Sequence, residues 1–290
     1  MRLTIVALAV SLLATGCGQA VEGTPVASPD DERKAGNKAY ETALGVMRQY
    51  VKDAKDFRGS LFFYAAVNER KSGSDVEIAR KGDPPALVSR RKSKTPPGFD
   101  YDVYQPAGDP LEYVRLGPKY VPQIVPTQWA SMPAVPYSGF PCAITGIQTL
   151  CKIMDALDTT TEAAPPGLGR AAVRLNDGAT EVRTEITLKS FVDNSVITIP
   201  ADVVALIEPD MMGRLIPVKI VVNADGTLRK AEVRGEVAGR GGKVQVEVGY
   251  EARGPAEASD FPPLPAPAEV TALPDKTARD EFWTKMANAR

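Results

Sequence analysis

The stretch KVQVEVGYEAR, residues 243–253, alternates apolar and polar side chains without interruption. Its apolar positions are Val244, Val246, Val248 and Tyr250, and its polar positions are Gln245, Glu247, Gly249 and Glu251. A period of two is typical of a β-strand with one face on a core and the other in water. The stretch therefore predicts one strand of a half-buried antiparallel sheet.

Segments with strand character precede this one along most of the chain. Residues 57–67, FRGSLFFYAAV, are apolar on both faces, which predicts a strand that is covered on both sides. The remaining predicted strands are residues 75–80, 86–94, 99–104, 111–116, 171–175, 181–191, 215–222 and 228–237. The turn Asn176-Asp177-Gly178 between two of them is a strong hairpin signal. The second half of the chain therefore predicts an antiparallel meander.

Helical periodicity appears between these strands. Residues 33–55 place apolar side chains at three- and four-residue spacings, and Ser28 or Asp30 is expected to start this helix. The other predicted helices are residues 142–157, residues 200–212, and residues 275–289 with Asp275 as cap and Phe282, Trp283 and Met286 as anchors. This order of elements predicts an α+β fold with one large antiparallel sheet. A sheet of this length twists strongly, so we expect it to curve and to present a concave apolar face.

Residues 117–141, GPKYVPQIVPTQWASMPAVPYSGFP, contain six prolines, which predicts an irregular segment. The segment nevertheless carries large apolar side chains, Trp129 and Tyr137 among them. A long irregular segment of this kind must lie on something apolar. Two interpretations stay open, a loop packed on the protein's own core and a lid over a ligand cavity.

The first residues form an apparent export leader. Met1-Arg2 gives a basic start, residues 3–13 are almost wholly apolar, and residues 14–16 are small. This order is typical of a secretory signal, and its apolar run is far shorter than the roughly 20 residues of a membrane-spanning helix. Cys17 follows directly and resembles the cysteine of a bacterial lipobox, which is acylated, with palmitate for example, as the leader is removed. The alternative is an ordinary secretion signal with an incidental cysteine.

The leader and the polar residues that follow it predict how the chain is organised. The predicted parts are residues 1–16 as a lipoprotein signal peptide, residues 17–32 as an acylated cysteine with a flexible tether, residues 33–274 as one folded domain, and residues 275–290 as a C-terminal helix. Two or three acyl chains hold a folded domain on a membrane. We therefore expect a lipid-anchored protein on the extracytoplasmic face of the cell membrane.

Cys142 and Cys151 are the remaining cysteines, and in an exported protein such a pair predicts a disulfide. Nine helical residues span about 13 Å, whereas bridged Cα atoms lie within about 7 Å. A bridge therefore requires Cys142 to lie outside the regular helix and to fold back. Pro141 and Gly146 make such a break feasible.

The composition argues against several functional classes. The chain has 35 basic and 36 acidic residues, and no basic stretch is interleaved with aromatic residues, so we expect no binding to nucleic acid. It contains no histidine, which removes Ser-His and Cys-His catalysis and the commonest zinc ligand. It also lacks a P-loop, GxSxG, SxxK and HExxH. We therefore expect no enzyme activity, no catalytic residues, no metal and no cofactor.

The layout resembles the LppX and LprG group of actinobacterial lipoproteins, which are similar in architecture to the LolA carrier fold. The resemblance rests on the lipobox at Cys17, the opening helix before residues 57–67, IPVKIVVNADGTLRKAEV at 216–233, and PPLPAPAEVTAL at 262–273. The resemblance implies a half-barrel of curved antiparallel sheet with helices packed across its concave face. It also implies an apolar cavity that holds the acyl chains of lipids in transit.

The function implied by this resemblance is binding or carrying a lipid or glycolipid, without chemistry. The candidate lipid-contacting residues are Leu61, Phe63, Phe99, Tyr101, Val103, Trp129, Ile186, Leu188, Ile220 and Val246. The same alternation also fits an ordinary filled core. The alternative function is an envelope sensor or interaction module without a ligand cavity, with an envelope protein as partner. A filled sheet with Trp129, Tyr137 and Trp283 exposed would favour that alternative.

Overall fold

The computed structural model describes residues 28–135, 140–240 and 242–289. In this part of the chain twelve strands form one sheet, in the order β12-β6-β5-β4-β3-β2-β1-β11-β10-β9-β8-β7. The strands are β1 Phe57–Val67, β2 Arg70–Lys81, β3 Ala86–Thr95, β4 Tyr101–Gln105, β5 Leu111–Leu116, β6 Trp129–Pro133, β7 Ala171–Arg174, β8 Thr180–Thr187, β9 Leu215–Val222, β10 Leu228–Ala238, β11 Lys243–Ala252 and β12 Val270–Ala272. The fold is α+β with a large, open, curved sheet, as the sequence predicts.

The two strands that decide the fold class lie side by side at the centre of the sheet. Strand β1 pairs antiparallel with β11, and Leu61 is opposite Tyr250 while Phe63 is opposite Val248. Residues directly opposite in such a pair share a face. All neighbouring strands are antiparallel in the described chain, except β12, which runs parallel to β6. The inward residues of β1 and β11 therefore form the middle of the concave face.

The α-helices are α1 Pro29–Lys52, α2 Ile147–Ala163, α3 Leu188–Asp193, α4 Ala201–Val204 and α5 Lys276–Asn288. Ser28, one of the two expected caps, accepts a hydrogen bond from the backbone N–H of Asp31 at 3.2 Å. Helix α1 therefore includes residues 29–32, which the sequence assigns to the tether. Asp275 caps α5 in the same way, through the backbone N–H of Ala278 at 2.9 Å.

Two separate apolar cores lie on the concave face. The larger core joins α1, α2 and α3 to strands β8 to β11 and β1, and its members include Met47, Leu150 and Phe191. The hydroxyls of Tyr50 on α1 and Tyr250 on β11 are hydrogen bonded at 2.8 Å, which ties that helix to the sheet. The smaller core joins α5 to β5, β6 and the residues between them. The helices thus cover the two ends of the concave face.

Three segments differ from the sequence prediction. Residues 129–133 of the Pro-rich segment form β6, because its prolines lie at or beyond the ends of this short strand. The strand predicted over residues 181–191 ends at Thr187, whose side chain accepts a hydrogen bond from the Ser190 backbone N–H and so starts α3. The helix predicted over residues 200–212 consists of α4 and a 3₁₀ turn, because Pro209 interrupts it.

The predicted leader, the acylation site at Cys17 and most of the predicted tether lie outside the described residues. Within the described chain, no helix combines the length and the apolar character needed to span a bilayer.

Candidate functional site

Two pockets lie side by side on the concave face at the edge of the larger core, and some of their lining residues, Leu61 and Val248 among them, belong to that core. The first, which we call the β1 pocket, has a volume of about 550 Å³. The second, which we call the β4 pocket, has a volume of about 460 Å³. Both are partly open to solvent. Ligand pockets typically measure about 300–1,000 Å³, so each is large enough for part of a small amphiphile.

The β1 pocket has an apolar floor and an apolar wall. Its floor consists of Leu61, Phe63, Ala65 and Val67 of β1 with Val248 of β11. Its wall consists of Val196, Ile197, Ile199, Pro200 and Val203, from the connection after α3 and the start of α4. The first two turns of α2 also line the pocket, with Gln148, Thr149 and Lys152. Because β1 is a central strand, the floor is held rigidly on both sides.

The β4 pocket lies further along the sheet, beneath α5. Its apolar lining is Ile78, Leu87, Val88, Tyr101, Val103, Val135, Ala143, Ile144 and Trp283. Glu112 of β5 and Arg279 of α5 also line it, and their Oε1 and Nε atoms form an ion pair at 3.2 Å. This pair fastens α5 over the sheet at the rim of the pocket.

Arg91 of β3 stands between the two pockets. Its guanidinium carbon lies 4.7 Å from the ring centre of Phe63 in the β1 pocket and 5.6 Å from that of Tyr101 in the β4 pocket. Its Nε donates to Ser74 Oγ at 3.0 Å, and its Nη1 donates to the Tyr101 hydroxyl at 3.3 Å. A guanidinium over an aromatic face is attracted by the ring electrons. The guanidinium of Arg91 is thus a positive charge held between the ring of Phe63 in one pocket and the ring of Tyr101 in the other.

The ten candidate lipid-contacting residues fall into three groups. Leu61 and Phe63 line the β1 pocket, and Tyr101 and Val103 line the β4 pocket. Ile186, Leu188, Ile220 and Val246 are at most 1% exposed and lie in the larger core, lining neither pocket. Phe99 packs against the smaller core, and Trp129 lies on β6. The larger core therefore takes up these four positions, and the open part of the concave face is smaller than the sequence suggests.

The aromatic residues named for the alternative function are not fully exposed where they are described. Trp129 and Trp283 are partly buried, and Trp283 packs edge-on against Tyr101 with ring centres 5.8 Å apart. Tyr137 lies outside the described residues.

Several residues of the pockets are not among the sequence candidates. Arg91, Lys152 and the segment 196–199 belong to this group. The stretch VITIP at residues 196–200 is apolar enough to suggest burial. A single sequence does not show which part of the sheet this stretch packs against. Arg91 has no local signal, since a cation on a strand is usually on the solvent face.

The predicted disulfide between Cys142 and Cys151 is confirmed. The two Cα atoms are 5.9 Å apart. Cys142 lies in a 3₁₀ turn before α2, outside the regular helix as the bridge requires. Gly146 makes the turn with a φ of 85°, and a Cβ there would lie 2.1 Å from Ile78 Cδ1. The bridge therefore fixes residues 143–145, which line the β4 pocket, against the sheet.

Removing this disulfide should lower the stability of the fold. The bridge spans a sequence separation of nine residues. Closing a loop of that length removes about 2–3 kcal/mol of unfolded-state entropy. We expect the C142S/C151S variant to lose that much free energy of unfolding in urea titrations, and to become insensitive to dithiothreitol. A double variant as stable as the oxidised parent would contradict this assignment.

The stability contributed by Glu112 should depend on pH. Burial raises the pKa of Glu112 above its ordinary 4.5, and the nearby Arg279 only partly opposes the shift. A carboxyl group with a raised folded-state pKa contributes stability below its unfolded pKa and loses it as the pH rises through the folded pKa. We therefore expect the free energy of unfolding of Glu112→Gln, relative to the parent, to increase as the pH rises above 4.5. A difference that stays constant between pH 4 and pH 7 would contradict this.

No cluster of three or more potential metal ligands occurs in residues 28–135, 140–240 and 242–289.

The open part of the concave face combines apolar floors with cationic and hydroxyl groups. Such an arrangement is suited to binding an amphiphile.

Among known proteins, this chain is similar to solved structures. No protein-family model matches the chain, and no curated protein matches it. Lipoprotein LppX of Mycobacterium tuberculosis is 14% identical, with 72% of this chain and 93% of that chain covered, at a TM-score of 0.28. A DUF1329 family protein of Desulfovibrio piger is 10% identical, with 80% and 97% covered, at a TM-score of 0.24. The chain is thus similar to both solved structures at low sequence identity.

Proposed function

We propose that this chain is a membrane-anchored, extracytoplasmic lipoprotein that binds a lipid by accommodating an acyl chain in the β1 pocket. The observation that carries the proposal is the open apolar pocket of about 550 Å³ on the concave face, floored by Leu61, Phe63 and Val248. In this proposal the protein binds or carries its lipid and performs no chemistry on it.

The energetics favour an acyl chain as the occupant. Each methylene transferred from water to an apolar surface contributes about 0.8 kcal/mol. The β1 pocket is lined by ten apolar residues along β1, β11 and residues 196–203. A chain of several methylenes therefore gains enough free energy to offset the cost of ordering it. The neighbouring β4 pocket offers space for a second chain or for a bulky head group.

The proposed anchor is Cys17, with the following residues as a tether. Ten residues separate Cys17 from Ser28, the cap of α1. Fully extended, ten residues reach about 35 Å, which would let the domain approach the membrane surface. The proposed parts are the signal peptide over residues 1–16, the carrier domain from α1 to residue 274, and the C-terminal helix after it. The disulfide supports an oxidising, extracytoplasmic location.

Lipid analysis of the purified protein tests this function. The full chain would be purified from its native membrane, washed, and extracted with organic solvent for mass spectrometry. We expect acyl lipid beyond the covalent anchor, in an amount close to one molecule per protein. A clean extract would contradict the proposal and would direct attention to the alternative of an envelope interaction module, for which crosslinking in membranes followed by pull-down identifies the partner.

A further inference from the structure

The rim of the β1 pocket carries charge of one sign. Among its described lining residues the charged side chains are Arg70, Lys71, Arg91 and Lys152, and none of the lining residues is a carboxylate. The chain as a whole has nearly equal numbers of basic and acidic residues. The cationic rim is therefore a local feature of this pocket.

The four cations differ in whether they already form an ion pair with a carboxylate. Arg70 forms an ion pair with Asp202, just beyond the pocket wall. Within the described chain no carboxylate lies within ion-pair distance of Arg91, Lys71 or Lys152, and Arg91 and Lys152 are half-buried. In the described chain, the side chain of Arg91 donates hydrogen bonds to the hydroxyls of Ser74 and Tyr101, and its guanidinium lies over two aromatic rings.

A half-buried guanidinium without an anionic partner is poorly compensated. Two neutral hydroxyls use two of its five N–H donors, so donors remain for a further acceptor. Guanidinium groups bind carboxylate and phosphate oxygens through paired hydrogen bonds, which are roughly twice as strong as neutral ones. The guanidinium of Arg91 lies over the ring of Phe63, which also forms part of the pocket floor, so the cation is next to the surface that would receive a chain.

We propose that the ligand of the β1 pocket is an anionic amphiphile, whose carboxylate or phosphate binds Arg91 while its acyl chain lies over Phe63 and Leu61. The inference rests on the proposed function and specifies its ligand class. Lys152 of α2 lines the same pocket and adds a second positive charge to it.

Photo-crosslinking in nanodiscs tests the charge requirement. The full chain would be inserted into phosphatidylcholine nanodiscs that contain a trace of one diazirine-labelled probe. The probes form two matched pairs, a fatty acid with its methyl ester and a phosphatidic acid with its diacylglycerol. After irradiation, mass spectrometry would quantify labelling of the peptides that contain β1 and β2. We expect each anionic probe to label these peptides about tenfold more than its neutral partner, the effect of a charge-assisted hydrogen bond. A preference in only one pair would identify the head group as carboxylate or phosphate.

Three variants separate the role of Arg91 from general effects. Arg91→Gln should reduce the ratio of labelling by anionic to neutral probes to near one, and Arg91→Lys should retain part of the anionic preference. Lys92→Gln, a neighbouring exposed cation on the same strand, is the matched control and should behave like the parent. Thermal melting of each variant would verify folding.

The outcomes distinguish the inference from the proposed function. Equal labelling by anionic and neutral probes in the parent, or a preference that survives in Arg91→Gln, would overturn the inference and leave lipid binding standing. The absence of β1 and β2 labelling by every probe would overturn both.

Discussion

The Ala65→Trp variant should bind an acyl chain roughly 50-fold more weakly than the parent protein. Ala65 lies in the floor of the β1 pocket, between Phe63 and Val67 on the same face of β1. An indole at this position would take the space of at least three methylenes, each of which contributes about 0.8 kcal/mol. The sum corresponds to roughly 50-fold in the dissociation constant. A fluorescent fatty acid titrated into the full chain, at one fixed concentration of nonionic detergent, measures the ratio.

The matched control for this experiment is Val173→Trp. Val173 is an exposed apolar residue on the edge strand β7, and it lines neither pocket. The control introduces the same ring on a strand without reducing the volume of the pocket, so its affinity should equal that of the parent. Unchanged affinity in Ala65→Trp, or an equal loss in both variants, would contradict the assignment of the β1 pocket.

Truncating Ile220 and truncating Phe63 should have opposite consequences for stability and binding. Ile220 is fully buried in the larger core, so Ile220→Ala should lower the free energy of unfolding by about 3–4 kcal/mol. Phe63 is only partly buried and faces an existing pocket, so Phe63→Ala should cost about 1 kcal/mol. In binding the order reverses, because Phe63→Ala removes floor contacts and should weaken acyl binding about tenfold. Folded Ile220→Ala should bind like the parent.

Urea unfolding and the fatty acid titration, carried out on both variants, test this contrast. The division of the concave face into a filled core and an open pocket predicts that each variant fails in only one assay. If Ile220→Ala weakened binding while remaining folded, the filled core would itself contact the ligand. If Phe63→Ala were as destabilising as Ile220→Ala, the β1 pocket would be part of the core.

The sheet was predictable from the sequence because its strands carry their own pattern. The alternation over residues 243–253 and the doubly apolar residues 57–67 correspond to β11 and β1 at the centre of the sheet. The disulfide was predictable because only a break before the helix could bring Cys142 to Cys151. Strand β6 was not predictable, because alternation with a period of two residues cannot be recognised in a five-residue segment that ends at a proline.

The site was less predictable than the fold, and the reason is physical. Inward apolar residues look alike in sequence whether a helix covers them or leaves them open. Val246 and Phe63 both face the concave side, yet Val246 is buried in the larger core and Phe63 is only partly buried and lines the β1 pocket. Arg91 could not be found from its neighbours, because its significance comes from Phe63 and Tyr101, which lie on two other strands.

The most direct test of the central claim is the position of a bound acyl chain. Crystals of the full chain loaded with a terminally brominated fatty acid, with loading verified by mass spectrometry, would locate the chain by the anomalous signal of bromine. We predict a bromine peak inside the β1 pocket, in van der Waals contact with the apolar residues of β1 or of residues 196–203. A loaded protein whose bromine peak lay outside both pockets would contradict the account.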